Sequence, residues 1–135
     1  MLEPLCREQG LGVINFFGLA RGFLTGKYRS EADLGKSTRG AGVKGYLTAR
    51  GQRVLAALDD TAQALGATPA QVALAWQMHR PGLTAPIASA TSVAQWAELA
   101  GAARLGLSAA QVQALDAASH EPGATPGIGG PPVFV

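Results

Sequence analysis

Two stretches of the chain combine residue types and spacings that could do chemistry. The first is Gly10 to Tyr28, GLGVINFFGLARGFLTGKY, an apolar run that enters a glycine-punctuated loop ending in Gly26-Lys27-Tyr28. Backbone N–H groups freed by glycines, with one lysine beside them, suit a phosphorylated ligand. The second is Pro86 to Glu98, PIASATSVAQWAE, where an apolar run passes through Ala88-Ser89-Ala90-Thr91 into a helix start at Ser92. A helix N-terminus offers unpaired N–H groups and the positive end of the helix dipole. Ser89 and Thr91 add hydroxyls without bulk, and Gln95 and Glu98 follow on the helix, where they can hydrogen-bond a base or a ribose.

Each stretch also has a plainer reading, as a surface turn with a solvated lysine or as an ordinary capped helix. Gly22 to Lys27 is not a P-loop: one spacer residue is missing, and Tyr28 stands where Ser or Thr would meet Mg²⁺. A GxGxxG turn between strand and helix is absent, since Gly127, Gly129 and Gly130 lie in a Pro/Gly-rich tail. Cys6 is the single cysteine, which excludes an internal disulfide and a cysteine-based zinc site, and no metal ligand is assigned.

The elements that must position these stretches follow from periodicity. Leu2 to Gln9 reads as the end of a helix, stopped by Gly10. Leu11 to Phe17 reads as a parallel strand covered on both sides, because its apolarity is nearly continuous. Gly18 to Val43 is a long loop with one helical turn near Gly22 to Tyr28, and loops of that length are usually functional. Leu47 to Leu65 is helical, with Val54, Leu55, Leu58, Ala62 and Leu65 on one face and Gly66 after it. Thr68 to Gln71 is a capping box with proline at its first helical position, opening a helix that ends before Pro81. Leu83 to Ile87 is a second short strand. Ser92 to Gln95 and Ser108 to Gln111 are further capping boxes; the first opens a helix with Val93, Trp96, Leu99, Ala100 and Ala103 inward, the second one with Val112 and Leu115 inward. His79 falls at a helix C-terminus and Asp59-Asp60 on a helix surface. Strands alternating with helices imply βα units and a parallel sheet. Two strands are too few for one, and a (β/α)₈ barrel needs about 250 residues.

Composition bounds the function. The chain has 135 residues, 47% hydrophobic and 15% charged, with net charge +2, which describes one globular domain and not a disordered segment. Basic residues are scattered and aromatics few, so no nucleic-acid partner is expected. No apolar run is long enough for a membrane span, so no membrane partner is expected either. The lone cysteine and the absence of a signal peptide fit a cytoplasmic setting.

The ordered motifs resemble one family. GLGVINFFGLARGFLTGKY resembles strand seven and the following loop of the aldo-keto reductases, in the bacterial general-stress and potassium-channel β-subunit branch. RGAGVKGYL and then TPAQVALAWQMHRPGLTAPIASATSVAQWAEL resemble the helix, strand eight and cofactor helix that follow. The resemblance covers roughly Leu2 to Ala118. It implies the fold class α/β: strands seven and eight of a (β/α)₈ TIM barrel with their helices, an incomplete barrel over residues 1–119, then a flexible tail over 120–135. A strand that belongs late in a barrel begins close to Met1, so the first six units are expected to be absent.

The resemblance also implies an NAD(P)-dependent oxidoreductase that transfers hydride from the cofactor to an aldehyde or ketone. NADP(H) is the expected cofactor, with NAD(H) the second choice. Leu19, Arg21, Gly22 and Lys27, helped by Arg39, would line the pyrophosphate; Ser89, Thr91, Gln95 and Glu98 would hold the adenosine end. Phe17, Gly18, Gln95 and Leu99 stand where many members have Ser, Pro, Arg and Asn. The family's catalytic Asp, Tyr, Lys and His come from its first four strands, so no catalytic residue is assigned and the chain alone is expected to be inactive. The expected partners are the nicotinamide cofactor, a carbonyl substrate only in a complete barrel, and further copies of the chain through exposed strand edges. The alternatives are a non-catalytic nucleotide-binding or regulatory subunit, and an inactive remnant.

Overall fold

The computed structural model describes residues 2–120. The tail assigned to 120–135 lies, beyond His120, outside the described residues. The element order is α1 (Leu2–Glu8), β1 (Ile14–Asn15), three 3-10 helices (Ala20–Thr25, Glu31–Lys36, Gly40–Tyr46), α2 (Ala49–Leu65) and α3 (Pro69–Met78). Then come β2 (Ala85–Pro86), α4 (Val93–Gly101), a 3-10 turn (Ala102–Arg104) and α5 (Ala109–Ser119).

The helices start and stop where local chemistry directs. Thr48 Oγ1 accepts from Gly51 N at 3.1 Å to cap α2, and Gly66, at φ +61°, ends it. Thr68 and Gln71 form a complete capping box on α3, as Ser108 and Gln111 do on α5. The α4 box is only half made. Ser92 caps Gln95 N at 3.2 Å, but Gln95 Oε1 accepts from Thr91 N at 2.8 Å and Thr91 Oγ1 at 2.9 Å instead of from Ser92.

The core is helical, not sheet-centred. Val54, Leu55 and Leu58 of α2 meet Val72 and Trp76 of α3 and Leu115 of α5, all buried. The segment expected as a loop contributes Phe23, Leu24, Tyr28 and Val43 to the same core, each fully buried. Short 3-10 turns leave no 3.6-residue apolar stripe, so periodicity could not reveal them. The Trp76 indole donates to Asp116 Oδ1 at 2.7 Å, Arg80 pairs with the same carboxylate at 2.7 Å, and the Arg80 guanidinium lies 5.4 Å over the Trp76 ring. This cluster fastens α5 to α3.

β1 and β2 pair in parallel, Ile14 with Ala85 and Asn15 with Pro86. Both strands are shorter than expected, and β1 is not covered on both sides: Ile14 is 59% exposed, Phe16 76% and Ile87 47%. Only the face bearing Asn15 and Pro86 has a helix against it, because the described chain brings no further layer to the other face. On α4, Val93 and Trp96 are exposed, as is Ala103 in the turn after it, while Leu99 and Ala100 are half-buried. The apolar stripe there is real in the sequence, but most of it meets nothing.

Gln77 of α3 is fully buried and holds the sheet to the helices. Its Nε2 donates to the Gly18 carbonyl just past β1, and its Oε1 accepts from Asn15 Nδ2. Replacing it by leucine keeps the volume but strands the buried Gly18 carbonyl and the half-buried Asn15 amide. Gln77→Leu is expected to cost about 1–3 kcal/mol in urea unfolding followed by circular dichroism; an unchanged midpoint would show that the tie contributes nothing.

Candidate functional site

Parallel pairing sends β1 and β2 out of the sheet at the same end, so the loops after them start side by side. Their contact is close at Gly18, where a Cβ would lie 2.7 Å from the Ile87 carbonyl oxygen and 3.4 Å from Pro86 Cβ. Ligands of parallel α/β folds sit at this carboxyl end of the strands.

The loop after β1 is held in an unusual backbone shape. Ala20, Arg21 and Gly22 have φ of +48°, +59° and +93°. Left-handed geometry at two non-glycine residues costs on the order of 1–3 kcal/mol each and tends to mark functional turns. Leu19 packs against the core, while Arg21 is exposed with its guanidinium 4.9 Å over the Phe17 ring. A Cβ on Gly22 would lie 3.2 Å from Lys27 Cε, so the lysine stem runs along the bare glycine. The Lys27 ammonium lies 5.0 Å over the ring of Tyr28, which is fully buried and shares a 2.5 Å hydrogen bond with Ser37 Oγ.

Between Gly18 and Tyr46 there are six basic side chains. Arg29 makes a two-pronged pair with Asp59 at 2.6 and 2.8 Å, Lys36 pairs with Asp33 at 2.7 Å, and Lys44 with Glu31 at 3.3 Å. Arg21, Lys27 and Arg39 meet no carboxylate among the described residues, and all three are exposed. These are the three cations that the family resemblance assigns to a pyrophosphate, Arg39 as a helper. Asp59, read as a bland surface residue, instead pins the loop to α2.

The loop after β2 is exposed from Ala88 through Thr91, Ser89 included. Gln95 braces Thr91 from inside the helix through Oε1, and the described bonds do not involve its Nε2. Glu98 is half-buried, and its backbone carbonyl accepts from Gln71 Nε2 at 2.8 Å, tying α4 to α3. His79 is a C-cap whose Nδ1 lies 2.8 Å from the Ala75 carbonyl. Among the described residues, no group of His, Cys, Asp or Glu could hold a metal ion, and no helix is long and apolar enough to cross a membrane.

The aldo/keto reductase family profile matches residues 1–120. The chain belongs to the aldo/keto reductase family. It is 39% identical over 93 residues to "Uncharacterized oxidoreductase YrpG" of Bacillus subtilis (strain 168), a match covering 68% of this chain and 27% of that protein. It is 30% identical over 109 residues to "Probable aldo-keto reductase 1" of Glycine max, covering 79% of this chain and 32% of that one. The chain therefore spans about a third, or less, of the length of these relatives.

Aldo/keto reductases use NAD(P)H, and the residues present fit such a cofactor in part. Arg21 and Lys27, which meet no carboxylate among the described residues, lie at a left-handed turn and suit a diphosphate. Sequence reasoning missed Phe16 and Phe17, which form an edge-to-face pair 4.6 Å apart at the carboxyl end of β1, with Phe16 76% exposed. Adjacent aromatics at that position were the available signal, because a bare ring there can stack on a planar group.

A second carboxylate, besides Asp59, ties the loop to itself. Asp33 accepts from Lys36 and from the backbone N–H groups of Arg29 at 2.8 Å and Ser30 at 3.0 Å. These bonds, the lysine's first, lower its pKa from 3.8 to about 2. Its folded pKa lies below the unfolded one, so the contribution is complete above about pH 4 and is lost as pH falls toward 2. Asp33→Asn is expected to flatten the loss of loop order in that window, read by hydrogen exchange at Arg29 and Ser30; an unaltered acid profile would remove Asp33 from this role.

Proposed function

We propose that this chain is the cofactor-gripping part of an NAD(P)-dependent aldo-keto reductase of the general-stress and channel β-subunit branch, working in the cytoplasm. The observation that carries this is the charge pairing of the loop: Arg29, Lys36 and Lys44 are matched to carboxylates, whereas Arg21, Lys27 and Arg39 meet none among the described residues. Arg21 lies in the left-handed turn and the Lys27 stem runs along Gly22, so both exposed cations are available to a bound diphosphate, with Arg39 the proposed helper. Leu19 and Gly22 shape the turn that presents the cations. Ser89 and Thr91 offer hydroxyls to the adenosine end, with Gln95 bracing Thr91 and Glu98 available to a ribose. NADP(H) is the proposed cofactor and NAD(H) the second choice.

When bound, the nicotinamide would supply the hydride that reduces an aldehyde or ketone. The proton must come from elsewhere. The Tyr28 hydroxyl is bound to Ser37, and the Tyr46 ring stacks on Phe23 at 5.6 Å, so both tyrosines serve the core. This supports the proposal that the proton donor, and the family's catalytic group with it, lies outside this chain.

The test is an NADPH fluorescence titration of the full chain. Arg21→Gln, Lys27→Met and Arg39→Gln are each expected to weaken binding roughly 10-fold or more, as loss of a charge-assisted hydrogen bond would. Lys36→Met and Lys44→Met should leave it nearly unchanged. Equal losses in both groups, or no binding by the parent chain, would overturn the reading. Purified chain is expected to give no NADPH-dependent carbonyl reduction, and turnover free of contaminating reductase would place the proton donor within it.

A further inference from the structure

We infer that Phe17 and Gly42 are positioning residues for the cofactor, which together hold the Arg21 guanidinium ready for the diphosphate. This role rests on the diphosphate reading of Arg21, and it names what keeps that cation in place.

A loose, exposed arginine grips a ligand poorly, because its long side chain loses rotamer freedom on binding. Arg21 is exposed, and it makes no hydrogen bond or ion pair among the described residues. Two surfaces nevertheless confine it. Its guanidinium carbon lies 4.9 Å over the centre of the Phe17 ring. It also lies against Gly42, in the 3-10 helix Gly40–Tyr46, where a Cβ would stand 2.9 Å from Arg21 Nη1 and 3.2 Å from its Cδ.

The backbone brings these groups together. Arg21 follows Phe17 by four residues, and the left-handed φ of Ala20 (+48°) and Arg21 (+59°) turns the chain back on itself. The Ala20 N–H closes that turn on the Phe17 carbonyl at 2.8 Å. Both surfaces are themselves held. Phe16 stands edge-to-face with Phe17 at 4.6 Å. Gly42 donates its N–H to the Arg39 carbonyl at 3.1 Å, and Val43 beside it is fully buried.

An aromatic face and a bare glycine suit this task. A guanidinium binds phosphate oxygens through a rigid fork of donors, so its orientation matters as well as its charge. A ring attracts the cation without occupying any of those donors. A carboxylate would hold the arginine too, but would take up its donors and its charge, as Asp59 does with Arg29. The same two devices recur at Lys27. Its ammonium lies 5.0 Å over the Tyr28 ring, and its stem runs along the bare Gly22. Gly42 is not left-handed, so alanine suits the backbone there, and the atoms its Cβ would strike belong to the movable end of Arg21.

The test is a double-mutant cycle read by NADPH fluorescence titration of the full 135-residue chain. Phe17→Leu removes the ring but keeps an apolar side chain, and Gly42→Ala pushes the guanidinium aside. Each is expected to weaken binding about two- to five-fold, the scale of an exposed cation–π contact. Phe17→Tyr, which keeps the ring, should bind as the parent chain does. In an Arg21→Gln background both losses should vanish. Melts followed by circular dichroism should match the parent's throughout, since Phe17 and Gly42 are exposed. Nitrogen-15 relaxation at Arg21 Nε should report a restrained side chain in the free parent and a mobile one in Phe17→Leu. Parent-like affinity in Phe17→Leu and Gly42→Ala, beside a loss in Arg21→Gln, would overturn this role and leave the diphosphate reading standing. Losses that persist in the Arg21→Gln background would also overturn it, because the two residues would then act without Arg21. So would an Arg21 side chain that is already mobile in the parent. No binding by the parent chain, or Arg21→Gln binding as well as the parent, would overturn both.

Discussion

Parallel pairing of β1 with β2 is the constraint on which the candidate site depends, although the strands themselves are too short to stabilise it. The register of Ile14 with Ala85 puts the exits of both strands at one end, and Gly18 lets them approach to where any side chain would strike the Ile87 carbonyl. What holds the pair is the amide of Gln77, buried on α3 and bonded to both Asn15 and Gly18. A buried amide with its partners in place is worth little net, but leaving them stranded is costly. The helical layer thereby fixes the position of a sheet that could not persist alone.

The loop after β1 combines firm anchoring with deliberate charge. Phe23, Leu24, Tyr28 and Val43 root it in the core, and Asp33 and Asp59 stitch it to itself and to α2. Each stitch takes up one cation, as Glu31 takes up Lys44, while Arg21 and Lys27 at the left-handed turn meet no carboxylate among the described residues. A loop that was merely a solvated connection would have no need to bury four large side chains or to hold Ala20 and Arg21 at positive φ. Pre-organised charge of this kind favours an anion without a further ordering cost on binding.

Much of this was legible in the sequence wherever the signal is local. Thr68 with Gln71 and Ser108 with Gln111 announced two helix starts, and Gly66 announced an end. The order of strands, loop and helices carried the family resemblance that the profile match bears out. Signals that depend on partners failed. Trp96 and Val93 carry an inward-facing period, yet stand in the open because nothing in the described chain covers α4. Tyr28 and Val43 lie in glycine-rich, aperiodic sequence, so their burial could be learned only from the packing of α2 and α3. The Thr91 N–H, local to Gln95, takes up its side-chain oxygen, a tie that the capping pattern alone did not reveal.

The central claim is that Arg21, Lys27 and Arg39 form a seat for the cofactor's diphosphate. Phosphorus-31 NMR of NADP⁺ tests it most directly, because the diphosphate and the 2′-phosphate give separate signals. On addition of the chain the diphosphate resonances should shift and broaden, and the triple replacement of those three cations should abolish the effect while the fold is retained. Diphosphate signals unmoved by saturating parent chain would contradict the account.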